Sequence, residues 1–382
     1  MVYRGIATFG LDTGKCPKWL FERMVKLGRE MERVIVEEYG PDEFVKRIAD
    51  PVWFQSLGTV LAFDWNASGL TTILTAALKE AAKGREKELG FFICGGKGKA
   101  SLKTPDEIKN WGEDLSLPGP GVSNLVYNSR MAAKVDSCLV QDGFQIYHHA
   151  FLFSRNGVWT VVQQGMNTAN QTARRYHWYS ESVNDLVCEP HSGIASQKRS
   201  FTLNLTARES GATRSLSTEL VQGSYQGLMK DIQVLRRHTS GPSKMIALKS
   251  GQTEMVFLSL ENKEFRWHPV LREDFSKSKY LEKVLARVCE TRPENYEKLL
   301  AFEGVGPKTI RALSLVSEVI YGAVPSYRDP ARYSFAHGGK DGTPYLVDRR
   351  TYDTTIEFFR KVIGRARITL TDKEKILRRL GR

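Results

Sequence analysis

Apolar residues between positions 17 and 39 recur at helical spacing. Leu20, Phe21, Met24, Leu27, Met31 and Val34 share one face of a helix that Pro17 opens and Gly40 ends. A second helix follows over 41–49, and 71–83 strings together strong helix formers closed by Gly84. Between these two, Asp64 to Gly69 reads as a turn-rich linker. Phe91, Phe92, Ile93 and Cys94 form a short apolar strand that opens into a glycine- and lysine-rich loop over 95–103. Thr104 caps a helix from Pro105, and a Pro118–Gly121 loop precedes another.

From about Val135 to Met166 the hydrophobic period changes to two. Stretches 135–140, 144–153 and 158–162 read as strands separated by Asp142-Gly143 and Asn156-Gly157, dipeptides suited to tight hairpins, so a three-stranded antiparallel meander is predicted. Residues 200–206 and 255–259 are further strand candidates, while 180–275 is otherwise weakly patterned. From Ser276 the pattern is helical, broken by one polar loop at 323–347. The expectation is an α+β protein: a mixed domain with an antiparallel sheet over 1–275, then a helical domain over 276–382.

Charge narrows the choice of partner. The chain carries a formal +13, and residues 291–382 hold 18 Lys plus Arg against 11 Asp plus Glu, so +7 of it lies in under a quarter of the length. Clustered cations gain affinity for polyanions by releasing counterions from phosphates. The five cysteines are far apart and form no CxxC pair, which points to a reducing compartment and a cytoplasmic location. No stretch has the apolar length that spans a bilayer, so no membrane partner is expected.

The helical domain contains the most telling segment. A helix capped by Thr291 and starting at Pro293-Glu294 carries Tyr296, Leu299 and Leu300 on one face and stops at Glu303. Gly304-Val305-Gly306 makes a tight turn, and Pro307 takes the first position of a helix running through Ile310, Leu313, Val316 and Ile320. Two glycines let the backbone approach a partner closely, helix-start amides can meet a phosphate oxygen, and Lys308, Thr309 and Arg311 supply charge and hydrogen bonds. The string Phe302-Glu303-Gly304-Val305-Gly306-Pro307-Lys308-Thr309 closely resembles the hairpin of helix-hairpin-helix DNA-binding proteins. That resemblance implies a double-stranded or damaged DNA partner, gripped by its phosphates at Gly304, Val305, Gly306, Lys308, Thr309 and Arg311, with Lys340 in the polar loop adding to the groove. In DNA glycosylases of this superfamily the hairpin lysine can be a Schiff-base nucleophile and a Val-Asp pair downstream supplies a carboxylate. Lys308 and Asp348, the latter following Val347, match those positions, although a long polar insert separates them here.

A second chemistry competes. Asp136, Asp142, His148, His149, Gln163 and Gln164 lie on or beside the expected meander, and a metal-dependent nuclease holds a divalent cation with carboxylates on adjacent strands. The Glu-x-Lys companion of restriction-enzyme cores is absent, and His148 and His149 must face opposite sides of their strand. Whether a metal is bound stays open. Residues 174–179 mix cations and aromatics, as single-strand stacking surfaces or core-packed helix ends do. His191 and His238 have no recognisable partner nearby.

Across nearly its whole length the chain also resembles a prokaryotic domain-of-unknown-function family, numbered 763, common in archaea and thermophiles. The resemblance is carried by Trp19–Met24, Phe63–Asn66, Tyr147–His149, Val162–Met166 and the hairpin with its Phe335–Gly342 insert. It brings no activity with it. The expected function is a DNA-repair enzyme of glycosylase or lyase type, with a nuclease or a non-enzymatic DNA-binding role as the alternatives.

Overall fold

The computed structural model describes residues 16–61, 69–168, 172–196, 201–239, 245–249, 252–258, 279–331 and 349–380. The chain forms two compact units, one made of residues 1–206 and 327–382, the other of 207–326. These are not the stretches 1–275 and 276–382 anticipated from the pattern, because the chain returns to its first unit after Ser326.

The first unit opens with α1 (Lys18–Tyr39), α2 (Pro41–Ile48), α3 (Pro51–Val60), α4 (Leu70–Ala82) and the short α5 (Glu86–Leu89), followed by β1 (Phe91–Lys97), α6 (Lys99–Leu102), α7 (Thr104–Asp114) and α8 (Gly119–Cys138). Then come β2 (Val140–Gln141), β3 (Gln145–Ser154), β4 (Trp159–Asn167), β5 (Thr172–Tyr179), β6 (His191–Ser196) and β7 (Leu203–Asn204). The second unit holds α9 (Gly211–Gln222), α10 (Tyr225–Thr239), β8 (Met245–Lys249), β9 (Gln252–Leu258), α11 (Lys279–Thr291), α12 (Tyr296–Ala301) and α13 (Pro307–Val319). Helices α14 (Arg349–Arg365) and α15 (Leu370–Leu380) complete the first. The class is α+β, as expected.

Local chemistry sets the helix boundaries. The Asp50 carboxylate accepts from Val52 N at 2.7 Å and Trp53 N at 3.2 Å, capping α3 where Pro51 needs no partner. The main sheet runs β1-β3-β4-β5-β6, every neighbouring pair antiparallel. Alternation then separates two layers. Phe91, Ile93, Ala150, Leu152 and Val162 join Met24, Phe54 and Leu74 of the first helices and Phe359, Val362 and Ile363 of α14 in one buried core. On the opposite face Phe92, Phe151, Phe153, Trp159 and Trp111 form a contiguous aromatic layer.

At the outer edge of the sheet, Gly95 stands opposite Ala150 of β3 with φ +85°, its amide and carbonyl partnered from outside the sheet. Its N–H donates to Glu107 Oε2 at 2.8 Å, and its carbonyl accepts from Lys79 Nζ at 3.1 Å. Lys79 and Glu107 are themselves paired at 2.6 Å. A side chain at Gly95 would place its Cβ 2.3 Å from the His149 carbonyl oxygen.

The expected meander is corrected at its start. Residues 135–138 are the last turn of α8, since Ala132, Val135 and Leu139 bury one helical face, and Asp136 is therefore a helix residue. Asp142-Gly143 joins β2 to β3, but β2 pairs with β7, so this dipeptide makes no hairpin. Asn156-Gly157 does connect β3 to β4, with Gly157 at φ +86°. Residues 174–179 are strand rather than stacking surface or helix end, with 174–178 buried and Tyr179 half-buried. The 200–206 strand contracts to β7. In the second unit Thr291 ends α11, and the cap of α12 is Asn295, whose side chain accepts from Lys298 N at 2.9 Å.

Candidate functional site

The hairpin of the second unit is built as its sequence implies. Helix α12 gives way at Phe302, and Gly304 takes φ +90°, a region that L side chains rarely enter. A Cβ there would also stand 3.2 Å from Val284 and 3.4 Å from the Tyr280 hydroxyl. Val305 plugs into the unit with 4% exposure, and its N–H donates to the Phe302 carbonyl at 3.2 Å. Gly306 is extended and starts α13, Pro307 follows at the first position, and no side chain caps this start among the described residues. Glu303, Pro307 and Lys308 are exposed, and Gly304 and Gly306 are half-buried, so the turn lies at the surface. Thr309 and Arg311 point inward and are buried. What the hairpin offers a surface ligand is therefore main chain plus Lys308. Lys340 and Asp348 lie outside the described residues.

The first unit contains a buried polar network. Ser129 and Asp136 project from one face of α8. Ser129 Oγ lies 2.9 Å from His149 Nε2, and His149 Nδ1 lies 2.9 Å from Gln163 Oε1. Gln163 Nε2 donates to Asp136 Oδ2 and to the Ala132 carbonyl at 3.2 Å. Trp178 Nε1 donates to the same carboxylate oxygen at 3.1 Å, and His191 Nε2 reaches Oδ1 at 2.5 Å. Because the Gln163 oxygen can only accept, the His149 proton sits on Nδ1, and Nε2 accepts a hydrogen bond from the Ser129 hydroxyl. Burial holds His149 below the usual histidine range, against the pull of Gln163 and Asp136.

Beside it lies a charged cluster. Arg174, wholly buried, gives Nη1 to Asp142 at 2.8 Å and Nη2 to Asp329 at 2.7 Å. Asp142 also accepts from the Tyr176 hydroxyl at 2.6 Å and from Phe144 N at 3.0 Å. Burial raises the Asp142 carboxyl, opposed chiefly by Arg174. On the other face of the sheet His148 Nε2 meets Thr75 Oγ1 at 3.2 Å, and its Nδ1 has no hydrogen-bond partner among the described residues. Burial pushes this imidazole down to about 3. Gln164 donates to the Tyr147 hydroxyl at 2.5 Å.

A family model described as "Protein of unknown function (DUF763)" matches residues 5–347. The chain belongs to the DUF763 family. No curated protein and no solved structure matches it.

The region matched by the DUF763 model contains both the hairpin and the buried network with Asp329, and stops before α14. Of the six residues considered for a nuclease, only Asp136, His149 and Gln163 are brought together, while Asp142 belongs to the arginine cluster and His148 and Gln164 to the opposite face. Both oxygens of Asp136 and both of Asp142 accept hydrogen bonds. Among the described residues no group of three or more His, Cys, Asp or Glu is placed to hold a metal. Sequence reasoning missed Ser129 and the partnership of His191 with Asp136. Continuing the α8 period through Ser129, Ala132 and Asp136 would have found the first, but nothing in the local sequence signals the second. A cleft of about 500 Å³ between α4, β1, α6 and α7 is lined by Thr75, Lys79, Lys97, Glu107 and Trp111 among others. No helix of the described residues is long and apolar enough to cross a membrane.

Proposed function

We propose that this protein binds DNA by its sugar-phosphate backbone, using the glycine turn between α12 and α13, and serves a repair-type reaction on that DNA. The observation that supports this reading is the placement of the turn. Gly304 in the left-handed region and extended Gly306 bring the main chain to the surface beside exposed Lys308. The first amides of a helix lack intrahelical acceptors and lie at the positive end of its dipole, which suits a phosphate oxygen. Lys308 adds an exposed cation. Contacts of this kind hold phosphates without reading bases, so affinity is indifferent to sequence and falls as salt rises. In the catalytic form of the reading, the neutral Lys308 amine forms a bond to the anomeric carbon of an extruded nucleotide as the glycosidic C–N bond to the base breaks, and the base leaves with the proton that the amine gives up.

Fluorescence anisotropy on duplexes of unrelated sequence, titrated over a range of salt, tests the proposal. Lys308→Ala is expected to weaken all of them by a similar factor and to reduce the salt slope by about 1. Borohydride capture on an abasic duplex, lost in the same variant, identifies the lyase; salt-dependent binding without capture identifies a non-enzymatic DNA-binding role. Absence of salt-dependent binding to every duplex overturns the proposal.

A further inference from the structure

The hairpin does not stand alone on its surface. Tyr280, in the first turn of α11, is 66% exposed, one of the large hydrophobic side chains that the fold leaves in solvent. Its hydroxyl lies 3.5 Å from the Gly304 carbonyl oxygen, so the ring stands at the rim of the glycine turn. Val284, one turn further along α11, packs under Gly304 and fixes this helix against the hairpin. Arg287 continues the same side, its guanidinium 5.4 Å from the centre of the Phe302 ring at the other end of the turn. Lys279, Lys283 and Arg287 recur every fourth residue and are all exposed, so the part of α11 beside the aromatic carries three cations, with half-buried Glu282 flanking them and exposed Glu290 ending the row at the far end of the helix.

We infer that α11 extends the hairpin into a site for unpaired DNA, in which Tyr280 stacks on an exposed base while Lys279, Lys283 and Arg287 follow the phosphates. The inference rests on the DNA-binding reading above and adds the form of DNA preferred. A solvent-facing phenol is poorly suited to a duplex, whose bases already stack on one another. A single strand offers free π-faces, and interleaved aromatics and cations are the combination that binds it. The charge is complementary to the strand, and the tyrosine lies within reach of the backbone held at the turn.

The test uses the full chain with a fluorescent single-stranded oligonucleotide and the matching duplex. Wild type is expected to bind the single strand more tightly, and Tyr280→Ala to weaken that binding about tenfold while changing the duplex little. Tyr280→Phe and Tyr280→Trp are expected to retain it, since stacking needs the ring and not the hydroxyl. Far-ultraviolet circular dichroism checks that the alanine variant is folded, and the phenylalanine and tryptophan variants keep the question decidable if it is not. Equal weakening on both forms of DNA, no effect of Tyr280→Ala, or loss of binding in the phenylalanine variant overturns the inference. Wild type that binds duplex through Lys308 but shows no preference for the single strand overturns it while leaving the broader reading intact; wild type that binds neither removes both.

Discussion

Arg174 meets Asp329 across 155 positions of chain, Nη2 to Oδ2 at 2.7 Å, with both side chains almost wholly buried. Between them the chain leaves the first unit, builds the whole of the second, and returns. The returning stretch is held further by Tyr327 stacked on Phe201 at 4.8 Å and by Asn204 donating to the Arg328 carbonyl at 3.3 Å. The sheet is thus tied to residues synthesised long after its last strand.

Removing Asp329 leaves one arm of the buried Arg174 guanidinium unpaired, with Asp142 as its remaining carboxylate. Asp329→Ala is expected to destabilise the first unit by about 3–5 kcal/mol, read as a shift in its urea unfolding transition. A loss under about 1 kcal/mol would show that Asp142 alone satisfies the guanidinium.

Glu32 is completely buried on α1, and neither carboxyl oxygen has a hydrogen-bond partner among the described residues. Burial raises its carboxyl well above the ordinary value, outweighing Arg85 and Arg29. A raised carboxyl keeps its proton in the folded state where the unfolded chain has lost it. Stability from this group is therefore intact below the unfolded value of about 4.5 and declines as pH rises through the folded one. Glu32→Gln is expected to flatten that decline and raise the melting temperature at neutral pH. An unchanged slope of stability against pH would refute it.

Acid acts through the histidines in the opposite direction. His148, His149 and His177 are buried, and burial lowers all three below the ordinary histidine value of 6.5, His148 to about 3. Below pH 6.5 the unfolded chain takes up protons that the folded chain refuses, so stability present at neutral pH is lost as pH falls from there toward about 3. Each such group adds a slope of up to about 1.4 kcal/mol per pH unit. Denaturation monitored between pH 7 and 5 is expected to show this loss, and replacing His148 with Gln to reduce it by one proton's share.

Gly304→Ala places a side chain at φ +90° and 3.2 Å from Val284. The backbone alone is expected to cost about 1–2 kcal/mol, with the hairpin's DNA affinity falling alongside. Gly306→Ala, at an extended residue with open space around its Cβ position, serves as the comparison and is expected to be mild in stability.

The sequence made the long periodic helices legible, together with the Asn156-Gly157 hairpin and the α13 start at Pro307, because each depends on residues within a turn or two of one another. The α8 boundary was not legible. The run from Val135 to Val140 satisfies either period, and the neighbouring Asp142-Gly143 mimics a hairpin signal. The buried network was half legible for a different reason. Asp136, His149 and Gln163 are chemically conspicuous, yet what joins them is the packing of α8 on the sheet, and His191 reaches Asp136 only through the pairing of β6 with β5. Arg174 and Arg175, adjacent in sequence, serve opposite faces: one meets two carboxylates, the other hydrogen-bonds His177 and Gln55. Alternation predicts that split only once the strand is recognised.

The rim of the sheet at Gly95 has its own bearing on how the protein behaves in a crowded solution. A terminal strand ordinarily invites any extended peptide to zip onto its open amides, the first step toward clumping. Here a lysine and a glutamate have already taken that rung, one on the carbonyl and one on the amide, so an intruding chain finds no ladder to climb at this point.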